Sequence, residues 1–79
     1  MDSFLSQIKP GNTAQITKLS IGGNAEQRLT DMGIVIGDMV TVTKIAPLGD
    51  PMEIRVKNYH LSLRKSEARH IHVTTNINI

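Results

Sequence analysis

Residues 52–63 read MEIRVKNYHLSL, and apolar and polar side chains alternate through both halves of this stretch. Alternation with a period of two is typical of a half-buried β-strand, because successive side chains point to opposite faces of a sheet. The predicted core-facing residues are Met52, Ile54 and Val56 in the first run, and Tyr59, Leu61 and Leu63 in the second. Between the runs, Asn58 can adopt the left-handed conformation of a tight turn. The stretch therefore predicts a β-hairpin.

An earlier run of the same kind spans residues 13–19. It begins as a strand with Ala14 and Ile16 on one face. Leu19 falls out of that phase, which predicts either a bulge or the end of the strand near Lys18.

Two more runs flank the hairpin, and their predicted core-facing residues are Val40 and Val42 before it and Ile71 and Val73 after it. Met39 and Ile45 are out of phase with the first pair, which indicates either a bulge or exposed apolar surface. Residues 66–68 are expected to form one helical or 3-10 turn before the last strand. Five short strands with a thin core predict a mostly β fold, a small SH3-like or OB-like barrel, because closure removes exposed edges. Periodicity does not separate these two barrels.

One short helix is predicted at residues 24–32, after the first strand. Asn24 and Gln27 fit the two positions of a capping box at its start. The helix carries an apolar stripe made of Ala25, Leu29 and Met32. Gly33 follows at once and suits a left-handed cap, which would bring Ile34 against Leu29 in a Schellman motif.

The size of the chain allows one small domain, predicted at residues 5–73 with Leu5 and Ile8 attaching its N-terminal segment and residues 74–79 as a flexible tail. With 79 residues, of which 39% are apolar, the core is too thin to enclose a large substrate pocket. There is no cysteine, which excludes disulfides, thiolate metal sites and a cysteine nucleophile. No activated serine set and no P-loop are recognisable, so the chain is predicted not to be an enzyme. No apolar run is long enough to cross a membrane, and no leader peptide is recognised.

The charge and the aromatic content argue against nucleic acid as the partner. Nine Lys and Arg against seven Asp and Glu give a net charge of only +2, and the cations are scattered along the chain. Phe4 and Tyr59 are the two aromatic residues, too few for a base-stacking platform. Of three functional hypotheses, an RNA-binding barrel is therefore the least favoured. Its binding to RNA would weaken steeply with added salt.

Several segments together resemble the FeoA family, that is, ferrous iron transport protein A. The first runs from Leu29 to Ile34, LTDMGI, and is followed by Gly37. The second is Ala46–Pro51, APLGDP, which matches the loop of that family very closely. Leu61–Arg64, Glu67-Ala68 and Ile71–Val73 then follow in the expected order. The resemblance covers about residues 5–73, and its signature positions here are Leu29, Met32, Gly33, Gly37, Glu67 and Ala68. Ile36 and Asn58 depart from the usual proline and glycine.

The resemblance implies an SH3-like barrel with a helix inserted after the first strand. It implies a cytoplasmic, non-enzymatic accessory protein of a membrane ferrous iron transporter whose cytoplasmic part binds GTP. Recruitment to the inner face of the membrane would follow from that partnership, without direct insertion of this chain. No cofactor is expected, although weak binding of a transition metal is left open.

The Ala46–Pro51 loop allows two interpretations. Pro47 fixes the second position of a type I turn with Gly49 at the fourth, and Pro51 makes Asp50 extended, so the loop can be hairpin scaffolding alone. Alternatively it displays Leu48 and Asp50 to a partner. The candidate partner-binding residues are Pro47, Leu48, Gly49, Asp50 and Pro51, with Arg28 and Asp31 of the helix as a polar rim.

His70 and His72 are the candidates for a metal site. At positions i and i+2 of a strand, their side chains would share one face, and two imidazoles can bind ferrous iron or zinc. The sequence places no third ligand beside them, so no metal site is assigned. A metal-responsive domain that uses this pair is the second functional hypothesis.

Overall fold

Each alternating run forms a β-strand in the computed structural model, which describes residues 2–75. The strands are β1 (Asp2–Phe4), β2 (Thr13–Leu19), β3 (Met39–Ile45), β4 (Met52–Val56), β5 (Tyr59–Leu63) and β6 (Ile71–Thr74). The helices are α1 (Gly23–Asp31) and α2 (Lys65–Ala68), and a 3-10 turn covers Leu5–Gln7. The predicted helix after the first strand, now counted as β2, is therefore confirmed, as is the helical turn before the last strand.

The strands form one antiparallel sheet in the order β1-β6-β2-β3-β4-β5. No pairing within residues 2–75 joins β1 to β5, so the sheet is not closed by hydrogen bonds, in contrast to the predicted closure. It is still barrel-like, because the buried side chains of β2, β3, β4, β5 and β6 meet in a single core cluster.

Strand β1 was not predicted. Its three residues are too few to show alternation, and it forms by pairing with the distant β6, where Asp2 lies opposite Thr74 and Phe4 opposite His72. The ring of Phe4 packs against the His72 imidazole, with 4.6 Å between the ring centroids.

Two bulges adjust the strands to the core. The register between β2 and β6 shifts between Ile16 and Lys18, so of the two alternatives predicted there the bulge is correct and the strand continues to Leu19. A second shift, between Val42 and Lys44, turns Ile45 back towards the core, where it packs half-buried. Met39 instead stays 37% exposed. A bulge therefore explains the phase of Ile45, and exposed apolar surface explains Met39.

Helix α1 begins differently from the prediction. It starts at Gly23, and the capping residue is Gly22 with φ +68°, so Asn24 lies inside the first turn and does not cap the helix. A glycine pair with positive φ can start the helix one residue early, because neither residue carries a Cβ that would clash. Gln27 donates a hydrogen bond to Asp31 instead of completing a capping box.

The end of α1 is as predicted. Gly33 has φ +100°, and its N–H donates to the Thr30 carbonyl at 2.9 Å. The Ile34 N–H donates to the Leu29 carbonyl at 3.0 Å, which completes a Schellman motif. Leu29 and Ile34 are both fully buried in the core.

The core contains most of the predicted residues. The buried apolar residues are Leu5, Ile8, Ala14, Ile16, Leu29, Ile34, Val40, Val42, Met52, Ile54, Val56, Leu63, Ala68, Ile71 and Val73. Tyr59 was expected among them but is 38% exposed, and Leu61 is half-buried. In the turn of the β4–β5 hairpin, Lys57 rather than Asn58 has the positive φ, +55°. In a two-residue hairpin loop the first position can take that conformation.

The flexible tail was predicted to begin at residue 74, which is too early. Thr74 belongs to β6 and lies opposite Asp2 and Gln15. The remainder of that predicted tail, 76–79, lies outside the described residues. None of the helices within residues 2–75 has the length and apolar character to cross a membrane.

Candidate docking surface

The loop between β3 and β4 is closed by two backbone hydrogen bonds. The Gly49 N–H donates to the Ala46 carbonyl at 2.7 Å, which closes the predicted turn around Pro47. The Ala46 N–H donates to the Pro51 carbonyl at 3.1 Å, and the peptide bond between Asp50 and Pro51 is cis. The loop is therefore held at both ends.

Leu48 lies at the tip of this loop and is 96% exposed, more than any other large hydrophobic residue within residues 2–75. A shallow groove of about 210 Å³ lies beside the loop and is lined by Lys44, Ala46, Pro47, Pro51, Glu53 and Ser62. The structure thus presents an apolar side chain on a fixed loop next to a groove with mixed charge.

Asp50 has a structural partner that the sequence did not reveal. Its Oδ1 accepts a hydrogen bond from the Lys65 N–H at 3.0 Å, at the start of α2. The carboxylate therefore satisfies one of the free N–H groups of that helix. Fifteen residues separate the two positions in the chain, so no local pattern indicates this contact.

A second carboxylate ties α2 to α1. Glu67 Oε1 accepts the Arg64 N–H at 3.1 Å, and Glu67 Oε2 lies 3.0 Å from Arg28 Nη2. The Arg28 side chain is 72% exposed, whereas that of Glu67 is 18% exposed. Asp50 and Arg28 thus both contact α2, and Asp31 lies one turn beyond Arg28 on α1. We use the name Leu48 surface for the four exposed candidates Leu48, Asp50, Arg28 and Asp31.

The remaining signature residues lie in the core, in turns or in a backbone hydrogen bond. Ala68 and Leu29 are fully buried. Gly33 and Gly37 have positive φ. The carbonyl of Met32 accepts a long hydrogen bond, 3.4 Å, from the Tyr59 hydroxyl.

Gly33 also makes room for Tyr59. A Cβ built on Gly33 would overlap the Tyr59 hydroxyl and would lie 2.8 Å from its Cζ atom. The Tyr59 ring therefore covers the end of α1, which explains why this residue is not in the core as predicted. Its hydroxyl keeps access to a carbonyl partner there.

The two candidate metal ligands are not arranged as expected. His72 lies in β6, half-buried against Phe4, but His70 belongs to the turn before that strand. The His70 carbonyl accepts hydrogen bonds from the backbone N–H and the hydroxyl of Ser20. Among residues 2–75 there is no group of three or more His, Asp or Glu side chains that could hold a metal ion.

Comparison with known proteins places the chain in a family. The model of the FeoA domain matches residues 4–75. A fusion protein from Porphyromonas gingivalis, in which Fe(2+) transport protein A is joined to the Fe(2+) transporter FeoB, is 38% identical over 69 residues. That match covers 87% of this chain but only 8% of the fusion protein.

Two solved structures are similar over almost the whole chain. The FeoA-like protein of Clostridium acetobutylicum is 31% identical with a TM-score of 0.88, and the match covers 99% of this chain and 91% of that one. The FeoA of Stenotrophomonas maltophilia, solved in complex with zinc and described as a procaryotic SH3 domain protein, is 27% identical with a TM-score of 0.71. That match covers 90% of this chain and 88% of the other. With a family match over most of its length and this shared SH3-like fold, the chain belongs to the FeoA family, an accessory family of ferrous iron transport.

Proposed function

We propose that this chain binds the cytoplasmic GTP-binding part of a membrane ferrous iron transporter and modulates its assembly or activity without catalysing a reaction itself. The observation that carries the proposal is the fusion protein, in which a segment 38% identical to this chain is joined covalently to a ferrous iron transporter. Covalent fusion keeps two partners at high effective concentration, an arrangement that suits domains that act on one another. The proposal places the chain in the cytoplasm, at the inner face of the membrane.

The Leu48 surface is the part of the molecule best suited to this contact. Leu48 is almost fully exposed, so docking would remove its apolar surface from water. The loop is already held by its two backbone hydrogen bonds and by the bond between Asp50 and Lys65, so ordering it on binding would cost little entropy. Arg28 and Asp31 would supply polar contacts at the rim.

A titration of the isotopically labelled chain with the isolated GTP-binding part of the transporter tests the proposal, with and without nucleotide. We expect chemical-shift changes at residues 46–51 and on α1. The substitution Leu48→Glu should weaken binding about ten-fold or more, because it buries a charge at the centre of the contact. Ile36→Glu is the matched control, since Ile36 is also exposed but lies just before β3, at the end of that strand away from Leu48.

Two outcomes of this titration would contradict the proposal or part of it. If neither the isolated GTP-binding part nor the complete transporter shifts any resonance of this chain, the accessory proposal fails. If binding occurs and Leu48→Glu leaves the affinity unchanged, the partnership stands but the Leu48 surface is not its contact. The rate of GTP hydrolysis by the transporter, measured with and without this chain, then reports modulation.

A further inference from the structure

The end of the molecule opposite the Leu48 loop carries a second exposed apolar cluster. Strand β3 ends at that loop and begins at Met39, and its seven residues span about 23 Å. At this far end Val35, Ile36 and Met39 are 45%, 58% and 37% exposed. We call these three residues the Ile36 cluster.

The cluster is carried by a tight turn that is held by three hydrogen bonds to its backbone. The Asp38 N–H donates to the Val35 carbonyl at 3.1 Å, and the Gly37 N–H donates to the Ile16 carbonyl at 2.7 Å. The Gly37 carbonyl accepts a hydrogen bond from the Gln15 side chain at 3.1 Å. These bonds would be kept at a bilayer surface, and the other backbone groups of the turn would still meet water and headgroup oxygens at the boundary.

A basic pocket opens directly beside the cluster. It has a volume of about 330 Å³ and is lined by Met39, Thr41, Arg55 and Lys57. Thr41 and Arg55 lie opposite each other on β3 and β4, so the guanidinium and a hydroxyl share one face of the sheet. Met39 belongs to both the pocket and the Ile36 cluster, which makes them one continuous surface.

The charges at this end favour an anion. Lys57 Nζ is 3.6 Å from Asp38 Oδ2, so its charge is partly compensated. Arg55 forms no side-chain hydrogen bond or ion pair with residues 2–75. A free guanidinium offers a planar set of donors that matches the oxygens of a phosphate group.

We propose that this end of the molecule binds the surface of an anionic phospholipid bilayer. The basic pocket takes a lipid phosphate, and Val35 and Ile36 enter the boundary between headgroups and acyl chains. The geometry favours a bilayer over a protein groove, because the aliphatic side chains protrude on a turn and the cations lie behind them. Lys57 directly follows β4, and Arg55 lies two residues, about 7 Å, further back in that strand. When a peripheral protein binds a bilayer, its apolar side chains lie nearest the acyl chains and its cations lie at the level of the phosphates.

This contact goes beyond the proposed partnership with the transporter and departs from the expectation that the chain itself does not insert into the membrane. It uses the end of β3 opposite the Leu48 loop. When the Ile36 cluster rests on the bilayer, the Leu48 loop at the other end of β3 points away from it, towards the cytoplasmic side. The domain would then fill the space between the membrane surface and a cytoplasmic partner, with a span of about 23 Å along β3. Each contact would raise the effective concentration of the other.

Vesicle co-sedimentation of the full chain tests the proposal. We expect binding to phosphatidylcholine vesicles that contain roughly a quarter phosphatidylglycerol, no binding to phosphatidylcholine alone, and weaker binding as salt rises from about 0.1 M to about 0.5 M. Arg55→Glu changes the local charge by two units and should lower the partition coefficient about thirty-fold. Ile36→Glu should lower it about ten-fold or more. Leu48→Glu is the matched control and should bind like the unchanged chain.

Four results would overturn the proposal. Absence of binding to the anionic vesicles would do so directly. Equal losses in Leu48→Glu and Ile36→Glu would show that the contact does not involve this end. Shifts at Thr41 and Arg55 with inorganic phosphate, in a chain that ignores vesicles, would mark a pocket for a small soluble anion instead. Circular dichroism spectra of each variant establish that it is folded. If Arg55→Glu lost transporter binding while the unchanged chain did not bind vesicles, the surface would be assigned to a protein partner.

Discussion

Replacing Gly33 with alanine should destabilise the fold through two separable effects. Gly33 has φ +100°, and an alanine in a left-handed conformation costs about 1–2 kcal/mol. The new Cβ would also overlap the Tyr59 hydroxyl and lie 2.8 Å from Cζ and 3.3 Å from Cε2 of the ring. The ring must then swing away and give up its bond to the Met32 carbonyl, which costs about 1 kcal/mol more. We expect the free energy of unfolding to fall by about 2–3 kcal/mol and Tm by roughly 10–20 °C.

Urea unfolding followed by circular dichroism measures this loss, and the chain offers a matched control. Gly37 has φ +99° and no atom within 4 Å of its built Cβ, so Gly37→Ala should show the backbone cost alone, about 1–2 kcal/mol. In a Tyr59→Ala background, Gly33→Ala should cost no more than Gly37→Ala does. An equal penalty for Gly33→Ala with and without Tyr59 would show that the ring does not occupy the space over Gly33.

Three further outcomes follow from the contacts described above. Asp50→Ala should lower the free energy of unfolding by about 1 kcal/mol, since the N–H of Lys65 loses its acceptor; a loss in urea unfolding no greater than that of an exposed surface alanine would contradict this role. Arg28→Ala should change stability by less than about 0.5 kcal/mol, because its side chain is 72% exposed and solvent screens the ion pair; a larger loss in the same assay would show that the pair is stronger than its exposure suggests. Anaerobic calorimetry with ferrous iron should give no heat at micromolar metal; tight binding that disappears in His70→Ala or His72→Ala would support the metal-responsive hypothesis instead.

The elements with local signals were predictable from the sequence. The alternation in residues 52–63 is a local property, and the structure shows Met52, Ile54 and Val56 buried as it indicates. The end of α1 at Gly33 was predictable for the same reason, because the Schellman motif involves only neighbouring residues. The turn around Pro47 is likewise set by proline and glycine within four positions.

The contacts between distant segments were not predictable. Strand β1 exists because Phe4 meets His72, and no property of three residues reveals that pairing. The bond between Asp50 and Lys65 crosses fifteen positions, so Asp50 looked like a displayed residue although it caps α2. Tyr59 followed the alternation of its strand but lies over Gly33, since its hydroxyl needs a polar partner that the core lacks. In each case a long-range contact outweighed the local pattern.

The pairing of β1 with β6 has a consequence for modular architecture. Asp2 and Thr74 are opposite each other in an antiparallel pair, so these two positions near the ends of the described residues lie about 5 Å apart. A domain with this geometry can be inserted into a host protein or appended to one of its ends, because the host backbone continues from almost the same point in space. The same adjacency makes circular permutation practicable: a short linker from 74 to 2, with new ends opened in the exposed Lys57–Asn58 turn, should preserve the sheet.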